Sequence, residues 1–356
     1  MLHSRFRHIR LRMLPVLLSF FGFTSCLLHF GEDCCGCDCE DEPSRWYTAI
    51  VDARYDTEWF LPITPRLSWQ DDTAAYGVEF SKLRPQIPEG LRIISYPDEG
   101  GEYRSFNLPA HGGDINLHAL SSHLLFYNND TEYIIIDPKA GFDATIATTR
   151  RQNGGNYKGN PKVGTVDNPQ PIYSQPDMLF RTSLSDYNAD GPDSLRVINV
   201  TLQPAVFSYV VHFQFTSGLE YVSSARGAIT GMASGVNLST GDLVDDTVTL
   251  LYDCEKEDDG MTGVVKSFGL PGYTHEGEPI APDRRYGITL QTYLTNGKLL
   301  TFDFDVTPQM MLQPYGGVVM VAGIEITDTD GKPSGGNGAF DVDVDPWGPS
   351  EDIDIM

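Results

Sequence analysis

The chain has 356 residues, with 25 basic and 49 acidic side chains, a formal net charge of −24 at neutral pH and six cysteines. So acidic a surface repels phosphate backbones and anionic headgroups, which excludes nucleic acid as an expected partner. At about 150 residues per domain, the length accommodates two domains once a leader is subtracted.

The first element is that leader. Arg5, Arg7, Arg10 and Arg12 form a positive stretch, residues 13–23 an apolar one, and small Thr24 and Ser25 precede Cys26. This is the three-part layout of a bacterial lipoprotein signal, so residues 1–25 are expected to be removed and Cys26 acylated on its thiol and new amino group. Two or more acyl chains hold a folded body stably at a membrane where one does not. The apolar run falls short of the roughly 20 residues that span a bilayer. An ordinary secretory signal or an uncleaved membrane helix are the competing readings, because Leu27, Leu28 and Phe30 resume the apolar pattern. No segment after Phe30 is long and apolar enough to cross a membrane.

Residues 26–45 read as a flexible tether crowded with Cys34, Cys35, Cys37 and Cys39, leaving Cys254 alone in the body. A closed zinc site usually draws on two separated ligand pairs or on Cys and His from different elements, and this cluster has a single run, so a flexible tether, with its thiols free or oxidised, is favoured over a thiolate metal site.

Ordered structure is expected from Trp46. Tyr47, Ala49, Val51, Ala53 and Tyr55 alternate with other residues, the mark of a half-buried strand, and residues 91–96, 124–127 and 133–136 supply further strands. Residues 150–177 are dense in Gly, Pro and Asn, which predicts a long surface loop leading to an interdomain linker. Asp186, Asn188 and Asp190 stand at alternate positions before Gly191, as in the first half of a calcium loop; the twelfth position is Val197, so the bidentate carboxylate is missing and an Asx/Gly turn competes. Asp193 substitutes only if the loop bends differently. We assign no metal and no cofactor.

A second strand series starts at residues 207–215, where Phe207, Tyr209, Val211, Phe213 and Phe215 share one face and His212 points the other way, towards solvent. Residues 286–294 and 299–306 flank Asn296-Gly297, which predicts a hairpin with a type I′ turn. Residues 318–326 and 340–344 add two strands, the last with Asp341, Asp343 and Asp345 on one face. No long amphipathic helix is visible. The expected fold is all-β, two tandem antiparallel β-sandwiches spanning 46–185 and 186–356.

Catalytic chemistry is sought without success. Gly231-Met232-Ala233-Ser234-Gly235 lacks the spacing of a nucleophile elbow, and His111, His118 and His123 match no metal motif. The chain therefore reads as non-enzymatic. Trp59, Trp69 and Trp347 lie beside Pro, Asp or Gln and are the candidates for stacking on a sugar if the protein binds glycans or another surface ligand instead.

Several segments, read in order, carry a family likeness: residues 96–101 (Tyr-Pro-Asp-Glu-Gly-Gly), 125–132, Gly231-Met232-Ala233, Leu238-Ser239-Thr240-Gly241, residues 268–272, residues 302–307, and a close with Trp347 and Asp352-Ile353. Together they resemble a family of Bacteroidetes surface lipoproteins related to fimbrillin-type minor pilins and fimbrial anchor lipoproteins, over most of residues 46–356. The resemblance implies transthyretin-like sandwiches, lipid (palmitate) attachment at Cys26, export to the cell outer membrane with surface exposure, and a part in fimbria anchoring, assembly or adhesion. Its implied partners are pilus subunits or another surface protein. It also implies possible O-glycosylation at Asp-Ser/Thr-apolar tripeptides, which here are centred on Thr73, Ser194 and Thr247. Apolar Leu27 to Phe30 and the cysteine-rich tether depart from the family's usual polar segment after the acylated residue.

Overall fold

Alternation at the start of the body builds β1 (Tyr47–Tyr55), whose Ala49, Val51 and Ala53 are buried. The structure is a computed structural model that describes residues 46–57, 77–98, 100–117, 121–153, 157, 170–188, 196–273 and 283–332. Residues 45–356 cluster as one unit. A one-turn helix α1 (Phe80–Leu83) leads into β2 (Gly90–Pro97), β3 (Arg104–Pro109), β4 (Gly112–Leu117) and β5 (Ser121–Asn128). After β6 (Ile134–Ile136) and β7 (Ile146–Thr149) come two-residue β8 (Arg151–Gln152) and β9 (Ile172–Tyr173), then β10 (Phe180–Asn188) and β11 (Arg196–Pro204). The second half holds β12 (Phe207–Ser217), β13 (Val222–Ala233), β14 (Gly235–Asn237), β15 (Thr247–Lys256), β16 (Gly260–Ser267), β17 (Gly287–Leu294), β18 (Leu299–Asp305), the one-turn helix α2 (Thr307–Met310), β19 (Gly317–Glu325) and the short α3 (Asp328–Gly331).

The first sheet runs β3-β2-β5-β10-β11-β1-β4, and the second runs β18-β17-β13-β15-β16-β12-β19. Numbered one to seven within each set, both read 3-2-5-6-7-1-4 around a cycle. In both, the first strand pairs in parallel with the seventh: β1 with β11 and β12 with β19. The difference lies in where the cycle stays open, between β3 and β4 in the first set and between β18 and β19 in the second. Each set folds over its own core, the first around Ile93, Phe126 and Phe180, the second around Tyr209, Phe213, Ile229 and Tyr286. A small third sheet, β14-β7-β6, bridges them.

The fold is all-β as the alternation implied, with three differences of detail. The sheets change between Pro204 and Phe207, whereas the expected boundary at residue 185 falls inside β10. β11 escapes a boundary placed by linker composition because its backbone pairs in parallel along β1 and its Ile198, Val200 and Leu202 are buried in the first core. Second, the breaker-rich stretch is not simply a surface loop: β9 pairs with β15, and Ser174 and Pro176 are buried. Breakers forbid long elements but not short pairings. Third, in the β17–β18 turn Gly297 alone has positive φ, and Leu294 N–H bonds to Lys298 O, so the loop has three residues. Asn296 uses its side chain instead, accepting from Lys298 N–H at 3.0 Å. Residues 340–344 lie outside the described residues.

Candidate functional site

Where the two sets meet, Ile94, Leu125, Tyr127 and Leu179 of the first share one buried cluster with Ala205, Val206, Ala233 and Phe268 of the second. Backbone pairing crosses the junction twice, β14 with β7 and β9 with β15. Side chains reinforce it. Gln175 Nε2 donates to Leu251 O at 2.8 Å while its Oε1 accepts from Lys266 N–H at 2.9 Å. Buried Arg181 on β10 donates to Leu238 O at 3.4 Å, Ser239 O at 3.3 Å and Thr240 O at 3.3 Å, wrapping the turn after β14. Burial lowers its pKa and Asp242 partly offsets this; a guanidinium nevertheless stays charged. Asn128, also buried, ties β5 to the chain before β10 by donating to Asp130 Oδ1 at 2.7 Å and Met178 O at 3.0 Å and accepting from Phe180 N–H at 2.7 Å.

The sheet ends are the surfaces on which another strand could pair, because an edge presents unpaired backbone groups. β3 and β4 are both edges, joined by Ala110 and His111, whose carbonyls accept from Tyr55 Oη at 2.8 Å and Ala53 N–H at 3.1 Å. β18 and β19 are the edges of the second sheet. β19 is capped: Gln309 Nε2 donates to Met320 O at 2.8 Å and its Oε1 accepts from Met320 N–H at 2.9 Å, while Gln313 does the same to Val318 at 2.9 and 2.7 Å. Two primary amides in and just after α2 thus copy the bonding of a neighbouring strand.

The candidates picked out from the sequence are dispersed. Cys26, Cys34, Cys35, Cys37, Cys39, Thr73, Ser194, Asp190, Trp59, Trp69, Trp347 and His118 lie outside the described residues. Thr247 is half-exposed and its Oγ1 accepts from Gln170 Nε2 at 2.9 Å. Cys254 is a free thiol whose pKa burial pushes up to about 12, with Asp253 adding to it. Asp186 sits on a bulge of β10 with φ 59°, the one positive φ outside glycine among the described residues, and its N–H donates to His123 Nδ1 at 3.2 Å. His123 Nε2 lies 3.1 Å from Asp98 Oδ1, so it carries the ring proton and donates it, and Ser121 Oγ holds the other oxygen of Asp98. Asp98, His123 and Asp186 are near enough to share a cation. Both ring nitrogens are already bonded, however, so an ion would have to displace one of these bonds. This grouping joins three adjacent strands, and no spacing along the chain signals it.

The one carboxylate–imidazole–hydroxyl array among the described residues is centred on His212. Its Nδ1 is 2.8 Å from Thr262 Oγ1 and its Nε2 3.4 Å from Asp259 Oδ1. The side chain is fully buried, contrary to the solvent-facing expectation, because Leu83, at the end of α1, and Val318 pack with Val210 on that face of β12. A sealed imidazole cannot reach a substrate and acts as a structural lock. Burial lowers its pKa, against the opposing pull of Asp259 and Glu257. The folded state therefore binds the proton less readily than the unfolded one, so this contribution is present above about pH 6.5 and is lost as pH falls through the folded pKa. In urea titrations across that window, His212→Gln is expected to show a shallower acid-side loss of stability than the parent; an unchanged slope contradicts the lock.

Comparison with known proteins follows the architecture. A Bacteroides ovatus protein named "Putative fimbrium anchoring subunit Fim4B" is 23% identical over 318 residues, spanning 80% of this chain and 91% of that protein. A structure described as "a putative adhesin from Bacteroides ovatus ATCC 8483" superposes with a TM-score of 0.54 at 19% identity, over 83% of this chain and 95% of that one, which shows a common fold. The model of the family described as Domain of unknown function (DUF5119) matches residues 77–253, from just before α1 to within β15. Over that span, which takes in most of the junction between the two sheets but not Lys266 or Phe268, the chain is similar to the DUF5119 family.

Proposed function

We propose that the protein is a non-enzymatic surface lipoprotein of the outer membrane that serves a fimbria as anchor, minor subunit or adhesin, held by acylated Cys26 and engaging pilus subunits through sheet-edge pairing. The observation that carries this reading is the relation, along nearly the whole length of the relative, to a protein named as a fimbrium anchoring subunit. The β-rich fold supports it, because two seven-stranded paths joined by a shared buried cluster present strand edges. A donated strand would gain backbone hydrogen bonds along an edge and place alternate side chains in pockets.

Two measurements test it. Cys26→Ser is expected to move the protein from the membrane fraction to the soluble fraction, and deletion of the protein to alter fimbria length or retention on cells. Unchanged fimbriae, together with no co-elution of pilus subunits, would remove the fimbrial role; retention of the Cys26→Ser variant in the membrane would remove the lipid anchor alone. Intact-mass analysis of the secreted form would reveal glycans on Thr73, Ser194 or Thr247.

A surface patch favours a second reading, glycan binding. Tyr96 lies 6.0 Å from Tyr103 and 6.1 Å from Phe142, and His123 stacks on Phe142 at 4.8 Å, all partly exposed beside Asp98. Aromatic faces with a neighbouring carboxylate suit a sugar ring. A glycan array without signal would dispose of it.

A further inference from the structure

The polypeptide leaves the second sheet at a fixed point. Asn296 Nδ2 donates to Asp330 O at 2.5 Å, Lys298 Nζ to Thr329 O at 3.1 Å, Tyr221 Oη to Asp328 Oδ1 at 2.7 Å, and Lys332 Nζ pairs with Asp328 Oδ2 at 2.6 Å. These bonds bolt α3 to the β17–β18 turn and place Lys332 beside the N-terminal end of β18.

Among the described residues, that strand has an open side. Leu294 N–H bonds to Lys298 O and Val306 N–H to Tyr286 O, so even-numbered residues of β18 aim their backbone groups at β17, and Leu299, Thr301 and Asp303 aim theirs outward. No residue of β18 is buried, whereas every residue of β17 except Tyr293 is. Leu300, Phe302 and Phe304 pack on the core while still partly exposed. The facing edge, β19, is already occupied by the Gln309 and Gln313 amides at its N-terminal half.

We propose that the chain's own C-terminal segment, residues 340–345, pairs in parallel with the outer edge of β18. Residues 333–339, Pro-Ser-Gly-Gly-Asn-Gly-Ala, can span roughly 23 Å and contain three glycines for a tight reversal, so a strand starting there runs from the Leu299 end towards α2. Phe340, Val342 and Val344 then extend the stripe of Leu300, Phe302 and Phe304 over the core, and the added backbone covers an edge that would otherwise template association. Asp341, Asp343 and Asp345 fall on the opposite face near Asp303. Each such like-charge pair opposes docking by less than burial of one Val or Phe side chain contributes, so pairing prevails and tightens as salt screens the carboxylates. The proposal stands apart from the fimbrial role, and its failure leaves that role untouched.

Hydrogen exchange on the full chain and on a Phe340→Asp/Val342→Asp variant of unchanged length tests it. The Thr301 and Asp303 amides are expected to exchange at least about tenfold faster in the variant, with β17 amides unaffected, and to exchange more slowly in the parent as salt is raised. Equal rates in the two proteins would overturn the proposal. So would protection that rises with protein concentration alongside dimer formation in light scattering, which would assign the edge to a second copy.

Discussion

Replacement of Phe268 by alanine is expected to lower the unfolding free energy by about 3–5 kcal/mol, the range for emptying a buried aromatic site. Phe268 is 2% exposed and sits in the cluster shared by the two sheets. Its neighbours there include Ile94 and Leu125, which belong to the first sheet, so the cavity would open between the halves and not inside one of them. Both halves should therefore weaken together. Trp46, at the start of the first sheet, reports that half by fluorescence in a background where Trp59, Trp69 and Trp347 are replaced by Phe, while far-UV circular dichroism reports all strands. Coincident urea transitions, shifted by the same amount in the variant, are the expected result. Two separated transitions in the parent protein would show that the junction does not couple the halves, since coincidence of probes is the test of a single cooperative unit.

Gly112→Val is expected to cost about 2–5 kcal/mol, combining backbone strain with overpacking. Gly112 opens β4 with φ +101°, a conformation that side chains rarely adopt, and an added Cβ would meet the Val51 carbonyl of the neighbouring strand. Gly100 separates the two causes. Its φ is +85°, but nothing stands within 4 Å of a built Cβ, so Gly100→Ala should carry the strain alone and lose only about 1 kcal/mol. The difference between their urea midpoints measures the steric part. Equal losses would mean that β4 moves away from β1 without cost, and that this edge is softer than its hydrogen bonds suggest.

Much of the strand content was legible from period-two patterning, and the reason is visible in β1 and β12. In each, alternate large or small apolar residues meet a core on one side, so the pattern is strong. β3, β4, β7, β10, β11, β13, β15 and β16 escaped notice: β16 carries Gly260 and Gly263, the latter in the space next to the Tyr252 ring, β13 and β15 are buried at consecutive residues, and β10 changes face at the Asp186 bulge. The reading of His212 failed for a related reason. Alternation predicts that one face is buried, and cannot tell that α1 and β19 cover part of the other.

What the sequence determined by itself was local: the acidic composition, the lack of long helical periodicity, the apolar faces of strands such as β1 and β12, and the order of motifs behind the family resemblance. These depend on neighbours within a few residues. Tertiary structure alone decided that the two halves repeat one strand order, that β11 returns to the first sheet, that Asp98, His123 and Asp186 converge, and that glutamine amides cap β19. Apart from the β19 cap, whose partners stand 11 and 5 positions apart, each joins residues tens of positions apart, where pairing is selected by the summed burial and backbone bonding of whole sheets and no local pattern carries the information.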